Sequence, residues 1–391
     1  DSADAHLALG TFYLAKREPA RAKEEFDVAA EQAPVRSGTQ IRVVDFYRLL
    51  GQPDEGDRRL DEIVKEAPDF YPAWRRIAQY AFSDRNYDRA QEALDHLLEA
   101  SDKDPETIRM VAEVHLAKGE TEEAQKRFRE AITIFQDYAR RRPEQPSIHF
   151  RLAQLHIRVG EIEQAKSRLA TVVELAPNSP SAVLLLSELQ INSREGSKAI
   201  TPLEELTKRQ PSPLAFELLG KAYLQEQKFP QATASFTRFA ELAPTEARAH
   251  LMLGTSFAGE GKLRESVREL ETALQMNPTY VEPLALLASI DARQQRLGNA
   301  LKRVQDQIAK IDPTGQHQFL LGQLYSASNQ SDFAEAAFRK AVELDPNLNA
   351  AYAQLAQIYV RTNRTEEALV EMDKGLQHNP KNVPVMMLKG M

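Results

Sequence analysis

Proline recurs through this chain at a near-constant interval, and that interval limits what the chain can fold into. Pro34 and Pro68, then Pro177, Pro211, Pro244 and Pro278, then Pro346 and Pro380 stand 33 or 34 residues apart wherever they are adjacent. Each closes a similar phrase, such as AEQAP, VKEAP, VELAP or VELDP. A period of this length marks a supersecondary unit that cannot bury its apolar face alone, so neighbouring units must bury it. The 391 residues therefore do not read as two or three separate globular cores, which their number alone would suggest.

Aligned on the prolines, the units begin at Ala3, Ser37, Tyr71, Pro105, Pro146, Pro180, Pro213, Ala247, Val281, Gly315 and Asn349, and a twelfth opens at Val383. The eighth place of the unit is Gly, Ala or Ser throughout, from Gly10 to Ala356, except at Val44. The twentieth is small in every unit, from Ala22 and Gly56 to Ala368, and a larger apolar residue follows four places later, such as Phe26, Leu60, Phe236, Phe338 or Met372. Small residues at fixed places let two helix backbones approach, while the larger groups fill the space beside them. Near place fifteen stand Gly51, Gly119, Gly160, Gly261, Asn329 and Asn363, the residue types that end a helix in the left-handed conformation. Proline then punctuates the end of the second helix, which it cannot readily continue.

The pattern resembles the tetratricopeptide repeat over essentially the whole chain. Unit ten carries the signature in Leu321, Gly322, Tyr325, Ala334, Phe338, Ala341 and Pro346. The departures are Val44 in place of a small residue, Asp102 and Gln136 where proline is expected, and Pro313 one place late. The resemblance implies an all-α, right-handed superhelical solenoid of about eleven helical hairpins plus a truncated twelfth. It also implies a protein that holds a partner in its concave groove and carries no catalytic residues, cofactor or metal.

Unit four runs 41 residues, and its second helix is predicted to continue to Arg142 before Pro143. Seven added residues make two helical turns, so the stripe Phe128, Ile132, Phe135 and Ala139 keeps one face. The expected organisation is thus residues 3–145 (units one to four), 146–382 (units five to eleven) and 383–391 (the opening of the twelfth). The basic end of the long helix, Arg140, Arg141 and Arg142, is either a tolerated insertion or a docking tip for an acidic partner.

In the family this chain resembles, the first helix of each unit lines the groove. In units two to five those helices carry Arg42, Asp45, Arg48, Arg75, Arg76, Gln79, Arg109, Glu113, Arg151, Gln154 and Arg158. Guanidinium forks suit carboxylates, so one expectation is an anion-favouring groove that takes an acidic peptide or an acidic polysaccharide. The other is a solvated face whose arginines pair with nearby Asp and Glu. The clamp that this family's chaperone-binding members use has no counterpart, since unit seven offers Glu217 and Lys221 at the corresponding places.

Catalytic and metal readings are weak by comparison. His115 and His156 occupy the eleventh place of adjacent units, with His149 two turns before His156, and imidazoles in stacked units could form a zinc site. That place holds Tyr13, Tyr223, Tyr325 and Tyr359 elsewhere, so a packing role is the simpler account. GEGKLRES near Gly259 lacks the spacing of a phosphate loop and falls between two helices. Glu24, Glu25, Glu122 and Glu123 start second helices, where acids suit the positive end of the dipole. Absent cysteine excludes thiolate chemistry and disulfides, and a net charge of −7 disfavours nucleic acid as partner. No apolar run reaches the roughly 18 residues of a membrane span.

The sequence begins at Asp1 without a leader, which reads as a processed product or a segment of a larger protein. The leading expectation is a protein-binding scaffold within a bacterial multi-protein assembly. It resembles the repeat-rich envelope proteins of exopolysaccharide secretion and surface-protein sorting, with a periplasmic or envelope location and the cytoplasm as the alternative. Other readings are the repeat arm of a larger enzyme or glycosyltransferase, and a scaffold that self-assembles end to end.

Overall fold

The computed structural model describes residues 2–379 and Met386. Among the described residues there are twenty-two α-helices and no strand. They form eleven consecutive hairpins, from Ala3–Ala15 with Pro19–Gln32 to Asn349–Arg361 with Thr365–His378. The twelfth unit expected from Val383 lies outside the described residues apart from Met386.

Each hairpin is set by the same local chemistry. Ser2, Ser37, Asn86, Asp104 and Ser212 accept a backbone N–H at helix starts. Proline opens several helices at the first or second position, where no N–H is needed. In every hairpin the fifteenth place is left-handed. The glycines and asparagines predicted there adopt it, and so do Arg17, Arg85, Arg194, Gln227 and Gln295, with φ between 56° and 61°. The next amide closes the turn onto the carbonyl of the eleventh place, as in Glu18 to Tyr13 and Gln52 to Tyr47, both 2.9 Å.

The chain divides into two compact units, Asp1–Ala182 and Val183–Met391, with the boundary inside the helix Pro180–Asn192. In the first unit, second helices pack on the first helix of the next hairpin, and the first helices of hairpins one, two and three also touch in turn. The long helix of hairpin four spans Thr121–Arg141 and is capped at Arg142. Its added turns bury Phe135 and Ala139 in one cluster with Ile108, Phe128, Ile148 and Leu152. The core is therefore continuous past residue 145, and the long helix is joined to hairpin five (Pro146–Arg158 and Ile162–Leu175) instead of standing apart from it.

In the second unit the late proline at Pro313 has a local counterpart. The second helix of hairpin nine, Leu297–Ile308, has 12 residues where its neighbours Leu263–Met276 and Ser331–Leu344 have 14. Helix resumes at Gly315. His317 there is 0% exposed, and its Nδ1 accepts the Thr314 backbone N–H at 3.2 Å.

Candidate partner-binding face

The first helices of hairpins two (Gly38–Leu49), three (Tyr71–Ser83), four (Pro105–Ala117) and five bring the predicted groove residues together in the first compact unit. Their side chains join neighbouring hairpins through ion pairs. Arg48 reaches forward to Asp84, at the end of the next first helix, at 2.6 and 2.9 Å, and to Asp57 of its own hairpin at 2.9 Å. Its bond to Asp84 chiefly holds the guanidinium charged beyond the usual range, and it lowers the Asp84 carboxyl below its ordinary value. Arg76 reaches back to Asp45 at 3.3 Å. Tyr80 Oη donates to the same Asp45 at 2.5 Å, and burial followed by this carboxylate pushes the phenol up to about 12. The guanidinium carbons of Arg48 and Arg76 lie 4.1 and 5.5 Å from the Tyr80 ring centre.

The series continues toward hairpin five. Arg75 meets Asp104 at 3.1 Å, and Asp104 also caps the next first helix by accepting from Thr107. Arg109 pairs with Glu106 at 2.9 Å and lies 3.9 Å from Glu113. From hairpin five, Arg151 reaches Glu106 at 2.8 Å and Arg158 reaches Glu113 at 2.9 Å, while Gln154 accepts from Arg151 at 3.0 Å. Gln79 is exposed, and Arg42 is exposed with no ion pair among the described residues.

The face is thus charge-paired. Arg48, Arg75, Arg76, Arg109, Arg151 and Arg158 are matched by Asp45, Asp57, Asp84, Asp104, Glu106 and Glu113. Six charges of each sign meet in these pairs, and Arg42 stands outside them. The partners Asp57, Asp84, Asp104 and Glu106 lie outside the groove positions read from the sequence. Asp84 and Asp104 meet Arg48 and Arg75 only because one hairpin is offset against the next, whereas Asp57 meets Arg48 within hairpin two and Glu106 meets Arg109 along one helix.

The other predicted groups are also placed. Arg140 and Arg141 both turn to Asp137, at 3.4 and 2.7 Å, and remain largely exposed with Arg142. His115 and His156 each bond a glutamate of their own hairpin, Glu120 at 2.5 Å and Glu161 at 2.7 Å. His149 Nε2 faces the Pro143 carbonyl at 2.8 Å, as Trp74 Nε1 donates to the Pro68 carbonyl at 2.7 Å. The fourth place of a first helix thereby satisfies a carbonyl left open where the previous helix stops. Among the described residues no group of three His, Asp or Glu side chains is close enough to hold a metal ion. Glu217 is buried and paired with Lys221 at 2.5 Å and Arg248 at 2.8 Å. No helix among the described residues is long and apolar enough to cross a membrane.

Comparison with known proteins agrees with the repeat geometry. Two tetratricopeptide repeat family models match, one over residues 124–182 and 325–390, the other over 47–105, 75–146, 217–278 and 251–315. The chain belongs to the tetratricopeptide repeat family. Repeats of this family mediate protein–protein interactions. Anaphase-promoting complex subunit 3 of Schizosaccharomyces pombe is 23% identical over 56% of this chain and 32% of its own length. Mouse tetratricopeptide repeat protein 21B is 21% identical over 88% of this chain and 26% of its own length. The chain thus spans about a third or less of these relatives. The crystal structure of yeast Tom70 aligns with a TM-score of 0.50 at 14% identity, covering 99% of this chain and 95% of that one. At that identity the likeness concerns the fold.

Proposed function

We propose that the chain is a non-catalytic scaffold that holds a partner protein on the first helices of hairpins two to five. The observation that carries this reading is the ladder of interlocked ion pairs across those helices. Pairing fixes long side chains that would otherwise lose rotamer freedom on binding, so the partner meets a face already ordered. The fixed guanidinium groups keep N–H donors that their carboxylate partners do not use, because each has five. Arg75, Arg151 and Arg158 remain accessible, with 45 to 55% of their side-chain surface exposed.

Alternating charge selects register more than it supplies affinity. The proposed partner is therefore a segment of mixed charge, with acids set opposite the arginines and bases opposite Asp45, Glu106 and Glu113. Partner capture by the intact chain tests this. Replacing Arg75, Arg109 and Arg151 together with glutamine is expected to weaken capture by roughly tenfold or more, at about 1 kcal/mol or less per exposed pair. The same change at Arg264, Arg268 and Arg293 of the second unit is expected to leave it intact. Equal loss from both triple variants would reject the proposed face, and a partner replaced equally well by polyglutamate would reject the mixed-charge reading.

A further inference from the structure

On the first helices of hairpins two to five, a line of apolar side chains runs beside the charged ladder. The ninth place of those helices holds Asp45, Gln79, Glu113 and Gln154. Three or four residues further on, at neighbouring positions of a helix surface, stand Leu49, Phe82, Leu116 and Ile157. Leu49 leaves 72% of its surface exposed, the largest value for a bulky apolar side chain among the described residues, and Leu116 leaves 38%. Phe82 and Ile157 are half-buried. The strip is particular to this face, since Ala258, Ala292 and Ser326 hold the twelfth place in hairpins eight, nine and ten.

The ion pairs tie the strip together from one hairpin to the next. Arg48, the residue before Leu49, reaches Asp84, two residues beyond Phe82, at 2.6 Å. Arg158, the residue after Ile157, reaches Glu113, one helical turn before Leu116, at 2.9 Å. The ladder thus holds successive pieces of the strip in order along the stacked hairpins. A line of apolar surface left in water and bordered by polar groups marks an interaction site. Burying an aliphatic side chain contributes more than an exposed ion pair, so the strip supplies affinity and the ladder supplies register.

We infer that the segment held here is an amphipathic α-helix of the partner protein. This deepens the function proposed above and rests on that face. The two lines lie side by side on one surface, so the occupant must turn apolar and charged residues the same way. A helix does so with an apolar stripe bordered by charges, whereas alternate residues of a strand point to opposite sides. The length also fits. At the spacing of packed helices, four first helices span roughly 30 Å, the length of a helix of about 20 residues. The bound helix lays apolar residues at i, i+3, i+4 and i+7 on the strip, with acids toward Arg75 and Arg151 and bases toward Asp45 and Glu113.

Two surface-displayed libraries of peptides of about 20 residues, presented to the intact chain, test the inference. One places apolar residues at the helical spacing with Glu, Lys or Arg elsewhere, and the other places the same residues in strict alternation. Binders are expected from the helical library. Their affinity is expected to fall by roughly tenfold or more when Leu49→Ser and Leu116→Ser are combined. Leu242→Ser with Leu344→Ser removes comparably exposed leucines from second helices of the second unit and is expected to leave affinity unchanged. Circular dichroism confirms that each variant stays folded. No binders from either library, binders from the alternating library alone, or unchanged affinity in the Leu49 and Leu116 variant overturns the inference. The glutamine triple variant of Arg75, Arg109 and Arg151 separates the two claims. Loss there without loss in the leucine variant removes the helix and keeps the face, and loss in neither removes both.

Discussion

Small and large residues are matched in size across the two helices of a hairpin. A Cβ added to Gly220 would lie 2.5 Å from the Phe236 ring, and one added to Gly322 would lie 2.6 Å from Phe338. Val44 breaks the small-residue pattern at the eighth place, but its hairpin has Gly56 at the twentieth, where a Cβ would stand 3.3 Å from the Val44 carbonyl. The pairs explain why one departure from the repeat is tolerated. Gly220→Ala is expected to destabilise the second unit by about 1–3 kcal/mol through overpacking, read as a lower urea midpoint. An unchanged midpoint would show that the ring relaxes freely. The turn residues allow the opposite experiment. Arg194 holds φ 61° in a conformation that costs a side chain about 1–2 kcal/mol, so Arg194→Gly is expected to stabilise by about 0.5 kcal/mol after glycine's own entropy cost.

His317 gives the residue scale a pH dependence. Burial lowers its pKa, while the charge of Glu282 on the neighbouring helix acts weakly in the opposite direction. Its Nδ1 is an acceptor in the cap, and its Nε2 is buried without a partner. A folded pKa below the unfolded value means that the unfolded chain binds more protons. The contribution is therefore present above the unfolded value, about 6.5, and is lost as pH falls below it. Thermal melts at pH 7.5 and 5.0 should show a smaller drop for His317→Gln, which can keep the cap without titrating. An equal drop in both proteins would place the acid sensitivity elsewhere.

At the scale of elements, the helical hairpins were legible because their determinants recur. Eleven copies of the eighth and twentieth places, the turn and the proline repeat a signal that a single copy would leave ambiguous. The long helix of hairpin four was readable for a simpler reason, since seven residues add two turns without rotating its apolar stripe. The sequence could not reveal which of its turns mattered to the next hairpin. Phe135 and Ala139 share a core with Ile148 and Leu152, so Phe135→Ala is expected to cost about 3–5 kcal/mol and to loosen hairpin five with hairpin four. Hydrogen exchange would show protection falling in both Thr121–Arg141 and Pro146–Arg158. A loss confined to the long helix would mean that the added turns hang free.

At the scale of the molecule, the repeat family and the all-helical architecture could be read from the sequence, but the character of the face could not. Arg48 and Arg76 look like unmatched positive charge on their own helices. Their partners, Asp84 and Asp45, come from neighbouring hairpins, and such offsets between repeats are not spelled out in any one unit. Left-handed arginines and glutamines at place fifteen were missed for a related reason, because the repeat imposes a turn that those residues do not request themselves. The central claim is that a partner lies along the paired first helices of hairpins two to five. Site-specific photocrosslinking in extracts of the native host tests it most directly, with p-benzoylphenylalanine placed at Gln79 or Gln154 on that face and at Gln125 on the second helix of hairpin four. The expected result is one partner adduct shared by Gln79 and Gln154 and absent from Gln125; adducts from Gln125 alone would contradict the account.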